Sequence, residues 1–81
     1  MLILSPAQCK AARGLLGLTQ PKLAEAAGLG LSTIVDFERG RRQVSDDATA
    51  SIRAALEAAG IEFVPAGPYS GDGGIGVRLK R

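Results

Sequence analysis

Three groups of residues have types and spacings that could do chemistry. Gly71-Asp72-Gly73-Gly74-Ile75-Gly76 has the GxGxxG spacing in which bare backbone amides cradle a pyrophosphate. That cradle needs a strand before it and a helix after it, whereas these glycines lead into alternating residues that read as a strand, so a hairpin loop is expected instead. Asp46 and Asp47 form a carboxylate pair of the kind used in acid–base work, but adjacent acids behind Ser45 are what the positive end of a helix attracts. Cys9 would need a neighbouring base to act as a nucleophile, and the chain has no histidine. An apolar helix position explains it better. No convincing acid, base, nucleophile or metal-ligand constellation remains, so an enzyme is not expected, nor a cofactor or a bound metal.

The remaining candidates suit a phosphate backbone and base edges. Arg39, Arg41 and Arg42 cluster where guanidinium groups could meet phosphates, and Lys22 adds another cation. Gln20 can bond a phosphate with its side chain. Ser32 can donate or accept at a base edge, Thr33 can meet a phosphate or a thymine methyl, and Asp36 can accept from a cytosine amino group. Leu31 and Val35 can only touch methyl groups or exclude water. The net charge of +2 is mild, and the seven Lys and Arg residues before Gly60 face six carboxylates there. Local clustering therefore carries the argument, not overall charge.

Local signals supply the elements that must position these side chains. Ser5-Pro6-Ala7-Gln8 joins an N-cap, a first-turn proline and a glutamine that closes a capping box, with Leu4 and Cys9 as a hydrophobic staple. A helix over 6–16 follows, stopped by Gly17. Thr19 caps a second helix over 20–27, in which Pro21 is harmless because first-turn amides have no intrahelical acceptor. A third runs from Leu31 to a left-handed cap at Gly40, with Ile34 and Phe37 facing the core and Leu31, Ser32, Val35, Asp36 and Arg39 facing away. Ser45 caps a fourth over 46–59, whose stripe is Ala48, Ile52, Ala55, Leu56 and Ala59.

After Gly60 the period changes to two. Ile61 and Phe63, then Ile75, Val77 and Leu79, mark two strands joined by a loop over 65–74. A lone hairpin is marginal in water, so its apolar face needs cover, either from a second subunit or from its own fourth helix. In the middle of the chain, Leu23, Ala24 and Ala27 offer a small inward face, Gly28 permits a tight turn, and Ile34 and Phe37 offer the matching face. Together they form a helix-turn-helix. The expected fold is mainly α: a four-helix helix-turn-helix bundle with a C-terminal β-hairpin or dimer-forming strands. Residues 1–60 are the expected DNA-binding domain, and 61–81 a β-strand tail that is a candidate dimerisation element.

A chain of 81 residues leaves no room for a separate catalytic domain. One cysteine excludes an internal disulfide framework. Met1-Leu2-Ile3-Leu4 is too short an apolar run for a signal peptide or membrane span, so a cytoplasmic protein with no membrane partner is expected.

Residues 9–60 resemble the lambda-repressor/Cro-like (XRE) helix-turn-helix family of bacterial and phage regulators. The resemblance rests on Arg13, Leu18-Thr19-Gln20, Leu23-Ala24, Ala27-Gly28, Thr33-Ile34 and Phe37-Glu38-Arg39-Gly40. It implies a helical bundle, often dimeric, that puts its third helix into the major groove of a palindromic operator. It also implies that Gln20 touches phosphate and that Arg13 pairs with Glu38, a pairing that would fix the angle of the third helix. The Ile-Glu-Phe-Val and Gly-Val-Arg-Leu tail resembles those of short bacterial members. Two departures stand out: Gly30 precedes the third helix where the family often has Ser or Thr, and Leu31, Val35 and Asp36 occupy positions where polar or basic residues are common.

The expected function is a sequence-specific regulator of transcription, binding double-stranded DNA as a homodimer and repressing or autoregulating a promoter. Its contact residues would be Gln20, Lys22, Leu31, Ser32, Thr33, Asp36, Arg39, Arg41 and Arg42. The alternative is a protein-interaction module, antitoxin-like or anti-activator, that uses Leu31 and Val35 as an apolar contact. The operator and any small-molecule effector are not written in the sequence.

Overall fold

Ser5 opens the first helix, α1 (Pro6–Leu16), with a complete capping box: its Oγ accepts from the Gln8 amide and Gln8 Oε1 accepts from the Ser5 amide, each at 3.0 Å. Two backbone donors that the helix cannot satisfy are thereby paired. Thr19 caps α2 (Gln20–Ala27) by accepting from the Lys22 amide. α3 (Leu31–Arg39) follows Gly30, which gives no side-chain cap. Ser45 caps α4 (Asp46–Ala58) through the Ala48 amide. The computed structural model describes residues 4–40, 44–64 and 76–79.

The turns after α1 and α2 use one device twice. Gly17 at φ 66° and Gly28 at φ 70° take the left-handed conformation that side chains disfavour. The next amide then folds back, Leu18 N–H to Arg13 O and Leu29 N–H to Ala24 O, both at 2.9 Å. These are the six-to-one bonds of the Schellman motif, and the leucine after each glycine packs on the core. Turn chemistry and burial therefore agree.

Leu23 and Ala24 of α2, Ile34 and Phe37 of α3, and Ile52 and Leu56 of α4 meet in one cluster with Leu4, Cys9 and Ala12. Burying each larger side chain contributes about 1.5–3 kcal/mol against conformational entropy. The α4 stripe differs from expectation at two places. Ala59 stands just past the last helical residue and is exposed, while Thr49 is buried with its hydroxyl donating to Ser45 O at 2.9 Å. A hydroxyl bonded to the carbonyl four residues back can enter an apolar face, which hydropathy alone does not show.

β1 (Ile61–Val64) pairs antiparallel with β2 (Gly76–Leu79), placing Ile61 opposite Leu79 and Phe63 opposite Val77. This register puts four apolar side chains on one face. Ile61 enters the core, Phe63 and Val77 pack against it, and Leu79 stays about half exposed. Gln8 Nε2 donates to Gly76 O at 3.4 Å, and the Arg53 guanidinium lies 4.6 Å from the centre of the Phe63 ring. The hairpin's inner face is thus covered by α1 and α4 of its own chain. The expected loop over 65–74, Ile75 and all of the glycine run before Gly76 lie outside the described residues. Among the described residues no helix is long and apolar enough to cross a membrane.

Candidate functional site

One side of α3 is anchored and the other is open. Ile34, Phe37 and Glu38 are buried, whereas Leu31, Ser32 and Arg39 are exposed. Val35, Thr33 and Asp36 are half-buried. For Val35 and Thr33 the helical period explains this, since each lies about 100° from Ile34 and so on a flank of the buried row. The outward surface is therefore narrower than the five residues expected to face away from the core.

What fixes α3 is a carboxylate with every acceptor position in use. Glu38 is 3% exposed. Its Oε2 accepts from Arg13 Nε at 2.6 Å and from the Cys9 thiol at 3.1 Å. Its Oε1 accepts from Arg13 Nη2 at 2.7 Å and from Gln20 Nε2 at 3.1 Å. Arg13 also donates to Leu18 O at 3.1 Å, which ties the turn after α1 into the same network. A planar guanidinium fork suits such a bidentate pair as lysine would not. Three helices thus converge on one side chain of the third.

The electrostatics follow from this geometry. Burial alone would raise the Glu38 pKa, but the bonds from Arg13, Cys9 and Gln20 outweigh it and hold the carboxyl below its usual range. The bond to Glu38 raises the Arg13 pKa further. Burial, and then the bond to the Glu38 carboxylate, push the Cys9 thiol well up. Cys9 is therefore a neutral donor and no nucleophile. Among the described residues no group of His, Cys, Asp and Glu is placed to hold a metal ion.

Gln20 and Lys22 stand in the first turn of α2, with Lys22 exposed and Gln20 half-buried. The Gln20 amide, expected from the sequence to reach phosphate, here donates one N–H to Glu38 and keeps a second N–H and its carbonyl. Arg39 is exposed at the far end of α3. Arg41 and Arg42 lie outside the described residues. Two parts of the network escaped the sequence reading, the Cys9 thiol and the Gln20 amide as donors to Glu38. Both are separated from Glu38 by about two helices of chain, so no local spacing signals them.

A family model described as helix-turn-helix matches residues 10–57, which is more than half of the chain. The match spans α2, the Gly28 turn, α3, all but the last residue of α4 and the C-terminal part of α1 from residue 10 on. No curated protein sequence matches the chain.

Proposed function

The chain belongs to this helix-turn-helix family, the XRE type of DNA-binding regulators that is similar to lambda repressor and Cro, and from that premise we propose that it is a dimeric repressor or autoregulator of a palindromic operator. α3 enters the major groove, and Leu31, Ser32, Thr33 and Asp36 meet base edges. Gln20, Lys22, Arg39, Arg41 and Arg42 hold the phosphate backbone. Residues 1–60 are the reading head, and the hairpin within 61–81 supplies the dimer contact. Supporting that contact, neither β1 nor β2 pairs with a further strand among the described residues, and Leu79 is 49% exposed.

The observation that carries this reading is the unequal treatment of the two sides of α3. Glu38 is saturated by donors from α1 and α2, while Ser32 and Arg39 on the opposite side, and Leu31 at the open N-terminal end of the helix, are left in solvent. A helix held rigidly on one side and open on the other is what positioning against base edges requires. In the dimer, two such helices would enter successive major grooves about 34 Å apart.

A gel-shift with the DNA upstream of the chain's own gene, run at two salt concentrations, tests the reading. A retained complex that weakens steeply with salt is expected. No complex at micromolar protein and low salt would overturn it. In that event the exposed Leu31 favours the protein-interaction reading, in which α3 contacts a polypeptide.

A further inference from the structure

Among the described residues three large apolar side chains are exposed: Leu15, Leu31 and Leu79. Only Leu31 lies on α3, where it is the first helical residue and 45% exposed. The N-terminal residues of a recognition helix are the ones that reach base edges. Gly30 places no hydrogen-bonding side chain beside it. Val35, four residues on, continues the same row and is half-buried. The leading edge of α3 therefore has an apolar row next to the single hydroxyl of Ser32.

In the major groove the base edges offer ring nitrogens, carbonyl oxygens, amino groups and one apolar group, the thymine 5-methyl. A leucine pressed on any of the polar edges would strip water from them and return no hydrogen bond, a cost that cancels much of what the leucine gains by leaving water. Against a methyl group, both partners gain by leaving water. Resting on the DNA-reading role proposed above, we propose that Leu31 is a specificity-determining residue that packs on the 5-methyl group of one thymine in each operator half-site, with Val35 backing it.

The test uses the full chain and synthetic, unmethylated DNA, in which thymine is the only source of the methyl group. Duplexes are selected from a random pool on the wild-type protein, and each thymine of the selected site is then replaced by deoxyuridine, which removes the methyl and keeps every hydrogen-bonding group. Fluorescence anisotropy should find one thymine per half-site whose replacement weakens binding about fourfold, the affinity equivalent of one buried methyl group, and about fifteenfold when both half-sites are changed. Leu31→Ala and Leu31→Gln, at an exposed position and so expected to leave the fold intact by circular dichroism, should bind thymine and deoxyuridine duplexes equally at that position. A selected site indifferent to every deoxyuridine, or variants that keep the wild-type sensitivity, would overturn the assignment of Leu31 while leaving DNA binding in place. A protein that selects no duplex at all would overturn the DNA-reading role and this assignment with it.

Discussion

Breaking the Arg13–Glu38 pair from its two ends should give unequal losses of stability, and the inequality can be worked from the structure. Arg13→Ala leaves a carboxylate that is 3% exposed with only a thiol and an amide as donors. Glu38→Ala leaves a guanidinium that is 21% exposed, still bonded to Leu18 O and able to reach water. Removing one partner of a buried pair costs about 3–5 kcal/mol, chiefly through the charge left behind. Arg13→Ala belongs within that range at about 3–4 kcal/mol, and Glu38→Ala below it at about 2 kcal/mol. For a domain of this size the smaller loss should lower the Tm by about 8–16 °C. Replacing both residues together, as Arg13→Met with Glu38→Leu, should recover much of the loss because no charge stays unpaired. Urea unfolding followed by far-ultraviolet circular dichroism at pH 7, at one fixed protein concentration, measures all three variants. A Glu38→Ala loss within about 0.5 kcal/mol of zero, or one larger than that of Arg13→Ala, would show that the charge left unpaired does not set the cost.

Three further outcomes follow from the same geometry. Because the Glu38 pKa is depressed on folding, its contribution is complete above the ordinary glutamate pKa of about 4.3 and is lost as the pH falls through the lower folded value; Tm measured from pH 7 down to pH 3 should show this acid-side fall in the wild type and less of it in Glu38→Gln. At Gly28, φ 70° with open space where a Cβ would stand, Gly28→Ala should cost about 1–2 kcal/mol from backbone strain alone, and denaturant unfolding of Gly28→Asn should show a smaller loss. Leu79→Glu changes an exposed position and should leave the helices folded while light scattering reports a monomer at concentrations where the wild type is a dimer; an unchanged dimer would remove the hairpin as the proposed contact.

The parts of this fold that were legible in the sequence are those decided within one turn of chain. Ser5 with Gln8, Thr19 and Ser45 each mark a helix start through a bond three residues away, and Gly17, Gly28 and Gly40 each mark an end by a backbone angle that side chains resist. The strand period announced β1 and β2, but not whether the hairpin would fold onto its own helices, because that depends on Gln8 meeting Gly76 across 68 residues. The same limit applies at the site. Arg13 and Glu38 were expected to pair from their places on the first and third helices as well as from the family resemblance, but nothing in the spacing of Cys9 or Gln20 revealed that both would point at the same carboxylate. Thr49 was passed over because its side chain counts as polar until the Ser45 carbonyl satisfies it. Long-range partners decide these cases, and a single sequence records each partner without recording the encounter.

In the proposed function the open side of α3 reads DNA from the major groove. Chemical footprinting of the protein on the duplex upstream of its own gene tests it most directly, using dimethyl sulfate to probe guanine N7 in the major groove and hydroxyl radicals to map the backbone. Two protected segments on one face of the DNA, centred about 10 base pairs apart and with N7 protection inside each, are expected. Protection confined to the minor groove, or none at protein concentrations in the micromolar range and low salt, would contradict it.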